Sequence, residues 1–142
     1  MTDALLLDTH ILLWLESGGD RLRSKIRGLI DEHWREGGTI LVSAVTAWEI
    51  AMLADGGRID FSRPTEDWIK QYLSRPGLDM VPLSWRACVR AYDLRNFEYR
   101  DPADRLLIAT AIEMDCMLVT YDDRISGYAA RGGRQYGLRL AA

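Results

Sequence analysis

Short apolar runs alternate along this chain with longer stretches whose apolar positions recur every three or four residues. Residues 4–7 are one such run, short enough for a single buried strand. Residues 10–16 read as a helix that Ser17-Gly18-Gly19 ends. Asp20 is placed to cap a second helix, whose inner face carries Leu22, Ile26, Leu29, Ile30 and His33 or Trp34, and which Gly37-Gly38 stops. Residues 39–42 form a second strand, and Ser43 is suited to cap a helix through about Ala54, closed by Gly56-Gly57. Pro64 suits the first turn of a further helix, with Trp68, Ile69, Tyr72 and Leu73 as its apolar stripe and Pro76-Gly77 as its end. A strand over 78–83, a helix from Ser84 to about Leu94 and a loop over 96–100 follow. Asp101 and Pro102 are a good N-cap and first residue for a helix to about Asp115. Residues 116–120 form a strand, a short helical or turn segment comes next, and 136–140 is a last strand.

Strands separated by helices predict an α/β fold, a parallel sheet covered by helices on both faces, here as one domain over 1–142. In such folds the functional site lies at the carboxyl ends of the strands. Composition agrees: 48% hydrophobic residues exclude a disordered chain. The apolar run of residues 5–15 has no basic segment before it and is interrupted by Asp8 and His10, so neither a signal peptide nor a membrane span is expected, and the expected compartment is the cytoplasm. Cys88 and Cys116 are far apart among apolar residues and read as buried thiols. With two histidines, His10 and His33, a Cys/His zinc site is excluded, and any metal must be held by carboxylates, which suits Mg²⁺ or Mn²⁺. A net charge of −3 argues against a simple electrostatic nucleic-acid binder.

Four acids fall where the carboxyl edge of such a sheet meets its helix N-termini. Asp8 directly follows the first strand, and Glu49 lies less than two turns into the helix after the second. Asp104 is in the first turn of DPADRLLIATA, and Asp122 sits in the turn TYDDR after the strand MLVT. Each has a plain structural reading, as a cap, a solvated helix residue, a first-turn charge or a turn residue. Together they form a set of carboxylates that repel one another unless divalent cations lie between them. Such cations hold a phosphodiester and activate water. Arg124, Arg131, Arg134 and Arg139 lie in a tail without acids, either a solvated surface or a patch for phosphates or an acidic partner.

With those residues in hand, the chain resembles the PIN-domain family, and most closely the ribonuclease toxins of VapBC-type toxin–antitoxin pairs. The matching stretches are LLLDTHILLWL, ILVSAVTAWEIAML, RDPADRLLIATAIE and MLVTYDDRI, in the family's order and nearly spanning the chain. The resemblance implies four or five parallel strands and an endoribonuclease that uses Mg²⁺ or Mn²⁺ to cleave RNA by metal-activated water, leaving a 5′-phosphate and a 3′-hydroxyl. It places the family's acids on Asp8, Glu49, Asp104 and Asp122, with Asp101 and Asp123 as neighbours that assist. The choice of Asp122 over Asp123 rests on T-x-D spacing. Thr9 and Thr120 stand where a hydroxyl can orient a carboxylate or a water. An antitoxin that masks the site and a homodimer are also implied, and Trp14, Trp48 and Trp68 are candidates for an interface, although Trp48 reads better as core. Where relatives often carry a lysine after the glutamate, this chain has AMLADGGRIDF and none.

Two other readings use the same letters. A phosphatase resembling the haloacid dehalogenases would take Asp8 as nucleophile, Ser43 at the second strand and Asp122-Asp123 at a late one. It expects a second Asp where this chain has His10, and it leaves Glu49 and Asp104 without a role. A non-catalytic RNA- or protein-binding module is the other, and the presence of all four acids gives it no support.

Overall fold

Leu5–Leu7 form β1, and all three leucines are buried, as a strand covered on both faces requires. This is a computed structural model, and it describes residues 4–17, 21–132 and 137–141. β2 (Ile40–Ser43), β3 (Leu78–Val81), β4 (Met117–Val119) and β5 (Arg139–Leu140) join β1 in one sheet of order β3-β2-β1-β4-β5. Every pairing is parallel, with Leu7 level with Val42 on one side and Val119 on the other. The chain builds outward from β1 to β3, then returns to lay β4 and β5 on the opposite side. The reversal falls between β1 and β4, the point at which sheets of this kind place a site at the carboxyl ends of their strands.

Alternate strand residues enter different layers, as the pleat dictates. Leu5, Leu7, Ile40, Val42 and Val119 pack with Ile11 and Leu12 of α1 (Thr9–Ser17), Ile26 and Ile30 of α2 (Ser24–Arg35), Ile50 of α3 (Ala44–Asp55) and Tyr72 of α4 (Thr65–Leu73). Leu6, Leu41 and Leu118 face the other way, toward Leu107 and Ile108 of α6 (Pro102–Met114) and Ile125 and Tyr128 of α7 (Asp123–Ala130). Ala87 and Ala91 seat α5 (Trp85–Ala91) on Ala109 of α6. Among the described residues no helix is long and apolar enough to cross a membrane.

The departures from the sequence reading have local causes. Helix α2 starts at Ser24 with Arg23 in the cap position and no side-chain cap, while Asp20 lies outside the described residues. Strand β3 stops at Val81 because Pro82 offers no N–H to the ladder. Helix α5 ends at Ala91 rather than near Leu94. The buried Arg105 takes the Ala91 carbonyl at 2.9 Å, together with those of Phe97 and Tyr99, each at 2.8 Å. That three-pronged contact pins the loop leading into α6. Tyr136 lies outside the described residues, and the last strand is the two residues of β5. Cys88 is exposed, because Ala87 and Ala91 already fill the inner side of α5; Cys116 is buried as expected. Trp48 and Met52, one turn apart on the outer side of α3, are both about half exposed, so Trp48 is not a core residue. Trp14 and Trp68 are partly buried against the core.

Arg105 supports a prediction. Arg105→Met would strand three carbonyls, and it should lower the unfolding free energy by about 2–4 kcal/mol. Urea denaturation measures it; an unchanged midpoint would mean that the loop holds without the guanidinium.

Candidate active site

Asp8 is the first residue beyond β1, and its backbone belongs to both neighbouring elements. Its N–H donates to the Val119 carbonyl of β4 at 3.0 Å, and its carbonyl accepts from Leu12 at 3.1 Å, the first bond of α1. The carboxylate is buried and held at both oxygens. Oδ1 accepts the Thr9 N–H at 2.7 Å, and Oδ2 accepts the Thr120 hydroxyl at 2.6 Å. The cap reading and the site reading of Asp8 are therefore one arrangement.

Thr9 carries the link to the second strand. Its hydroxyl lies 2.6 Å from Glu49 Oε1 and 3.2 Å from Thr46 Oγ1. A hydroxyl has one proton, and the charged carboxylate at shorter range takes it. Thr46 then donates to Thr9, completing a relay that fixes Glu49. Ser43, fully buried, caps α3 by accepting the Val45 N–H at 3.0 Å. That cap turns the helix so that Thr46 and Glu49, three residues apart, share the face toward Thr9.

Thr120 carries the link to the fourth strand. While donating to Asp8 it accepts the Asp122 N–H at 3.0 Å. Asp122 caps α7 by accepting the Arg124 N–H at 2.9 Å, and it also receives the Arg124 side chain. Arg124 Nη2 lies 2.9 Å from Asp122 Oδ2 and 2.8 Å from Asp104 Oδ2, so one nitrogen touches both carboxylates. Its N–H is not aligned on Asp104: Oδ2 is buried and accepts no hydrogen bond, only this ion contact. Asp101 is exposed and caps α6 by accepting the Ala103 N–H at 2.9 Å, and Asp123 is exposed in the first turn of α7. The four acids named from sequence thus face one edge, joined through Thr9, Thr120 and Arg124. Thr46 and Arg124 were not singled out as site residues. Thr46 had a signal in its spacing, one helical turn before Glu49; Arg124 reads in the sequence as part of the acid-free tail, and in the fold it lies on the chain's own Asp104 and Asp122.

The crowding shows in the acids' proton affinities. Burial pushes Asp8 up, against the pull of the Thr120 and Thr9 hydrogen bonds. Glu49 is also raised, by burial first and then by the charges of Asp8 and Asp101. Asp104 is pushed up to about 7 by burial and by repulsion from Asp101 and Asp122, which together outweigh Arg124. Asp122 goes the other way: burial opposes its charge, but the Arg124 hydrogen bonds and charge hold it below the usual range.

The donor chemistry fits a hard divalent cation: oxygen atoms only, mutually repelling, one of them buried without a hydrogen bond. The geometry is not a closed cage. Among the described residues no three carboxylate, histidine or cysteine side chains are gathered closely enough to hold a metal ion as they stand. Arg124 stands between two of the four acids.

Comparison with known proteins agrees with this architecture. The PIN domain family matches residues 5–131. Ribonuclease VapC22 of Mycobacterium tuberculosis is 33% identical over 124 residues, covering 87% of this chain and 91% of the relative. In fold, the chain is similar to a component of VapBC2 from Rickettsia felis bound to a promoter DNA fragment. The TM-score is 0.66 at 19% identity, over 97% of each chain. A component of DNA-bound VapBC from Salmonella typhimurium gives 0.67 at 15% identity, over 99% of this chain and 98% of that one.

The raised Asp104 dictates a pH dependence. Between the ordinary carboxylate range and about 7, the folded chain holds a proton that the unfolded chain has released, so stability must fall as pH rises through that window. Asp104→Asn should remove its share of that slope, leaving what Asp8 and Glu49 contribute, and above pH 7.5 should stabilise the metal-free protein by about 1–2 kcal/mol. Thermal unfolding in chelator from pH 5 to 8 tests this; a wild-type curve as flat as the variant's would contradict it.

Proposed function

This chain belongs to the PIN-domain family, and on that premise we propose that it is a metal-dependent endoribonuclease, the toxin of a cytoplasmic toxin–antitoxin pair. The observation that carries the reading is the run of hydrogen bonds from Glu49 through Thr9, Asp8 and Thr120 to Asp122, which ends beside the hydrogen-bond-free Asp104 Oδ2. Asp8, Glu49, Asp104 and Asp122 would hold Mg²⁺ or Mn²⁺. When bound, the cation supplies Lewis acidity to the phosphodiester and to its attacking water.

The side chains set the conditions for that chemistry. Thr120 and the Thr9 N–H fix the plane of the Asp8 carboxylate, each by one bond, which leaves its remaining lone pairs free for a ligand. Thr9 does the same for Glu49, whose Oε2 is left unengaged by it. Asp104 must lose its proton before it can act as a ligand, so cation affinity and cleavage should both rise with pH through about 7. The phosphatase reading is weaker, because the Ser43 hydroxyl is buried and occupied as a helix cap.

The partner proposed is a VapB-like antitoxin, supported by the VapBC assemblies among the structural relatives. A homodimer is proposed as well. Trp85 and Val89 of α5 and Tyr92 at its C-cap follow one another at four- and three-residue spacing, each about two-thirds exposed, an apolar stripe that a second copy would cover. Sedimentation at micromolar concentration should show a dimer, and a monomer would contradict this part.

The activity is tested with purified chain and RNA. Cleavage should require Mg²⁺ or Mn²⁺, stop in chelator, and fall by about 10³-fold or more in Asp8→Asn. The new ends should be 5′-phosphate and 3′-hydroxyl. Cleavage that persists in chelator, or a 2′,3′-cyclic phosphate product, would overturn the proposal.

A further inference from the structure

We infer that Arg124 is a built-in counter-cation, holding Asp104 and Asp122 in the metal-free protein and leaving them when a divalent cation enters. The inference rests on the proposed metal-dependent reading of the four acids and concerns a residue that reading does not use. Arg124 Nη2 touches Asp104 Oδ2 and Asp122 Oδ2 at 2.8 and 2.9 Å. A divalent cation held between those carboxylates would meet the guanidinium already there, and two positive groups in one gap repel each other. The two positive charges compete, and Arg124 sets how tightly the metal is held.

The side chain is built to move. It is 41% exposed, so withdrawal into solvent costs little burial. Its guanidinium also lies 5.6 Å from the centre of the partly buried Tyr99 ring, a face against which a displaced guanidinium can rest. The helix does not depend on the ion pair, because the cap of α7 is made by the Arg124 backbone N–H and survives the loss of the side chain. Arg105, nineteen residues nearer the N-terminus, shows the contrast: buried and locked to three carbonyls, it has no freedom to leave.

The test is Mn²⁺ binding by calorimetry at pH 8 to metal-free wild type, Arg124→Gln and Arg90→Gln, the last removing a surface ion pair with Glu113 far from the acids. Arg124→Gln should bind Mn²⁺ about tenfold more tightly or better, and Arg90→Gln should match wild type. Equal or weaker binding by Arg124→Gln overturns the inference and leaves the four-acid reading standing. No Mn²⁺ binding by any of the three at millimolar concentration overturns both. A second readout needs no variant. In wild type, adding Mg²⁺ should speed water exchange of the Arg124 Nε–H, followed by NMR, by about tenfold as the ion pair opens; an unchanged rate at saturating Mg²⁺ overturns the inference.

Discussion

The constraint on which the rest of this structure depends is mutual repulsion among carboxylates at the edge of a parallel sheet. Asp8, Glu49, Asp104 and Asp122 come from four separate parts of the sequence, and the fold places them within reach of one another's charge. Left alone, such a set would swell the cleft or take up protons. The chain answers with neutral donors and one cation. Thr9 and Thr120 each donate a hydrogen bond to a carboxylate, backbone N–H groups serve Asp8 and Asp122, and Arg124 spans the gap to Asp104. Part of what remains unanswered falls on Asp104, whose carboxyl is pushed up to about 7, and part on Asp8 and Glu49, which burial also raises. Charge that stays unbalanced at a cleft marks where a ligand of opposite sign belongs.

The scaffold makes this crowding affordable. Strands β1 and β4, side by side at the reversal of the sheet order, carry Asp8 and the Thr120–Asp122 turn on adjacent ends. Strand β2 delivers Ser43, whose cap starts α3 at the angle that brings Thr46 and Glu49 over Thr9. Helix α6 runs back along the sheet, and Arg105 pins the loop before it so that Asp104 enters the cleft from a fixed direction. Each acid is held by an element buried on the far side, which is the support that a preorganised site requires.

Much of this was legible in the sequence, for physical reasons that can be named. Buried parallel strands are written as short apolar runs, so Leu5–Leu7 and Met117–Val119 stood out, and Asp8 stood out because it breaks one. Caps are local chemistry, and Ser43, Ser84 and Asp101 cap the helices after them as expected. What was not legible depended on contacts distant in sequence. The early end of α5 is imposed by Arg105 fourteen residues on, and the placing of Arg124 between Asp104 and Asp122 needs the packed α6–α7 arrangement. Trp48 and Cys88 misled because apolar character says a residue prefers burial, not that an inner face has room for it. On α5 that room was already taken by two alanines, Ala87 and Ala91.

The central claim is that these four carboxylates become one cation site. The most direct measurement is anomalous scattering from crystals of the chain grown with Mn²⁺. The account predicts a strong manganese peak within coordination distance of Asp8 and of Asp104 or Asp122. A manganese-soaked crystal with its acids ordered and no peak among them, or with its only peaks elsewhere on the surface, would contradict it.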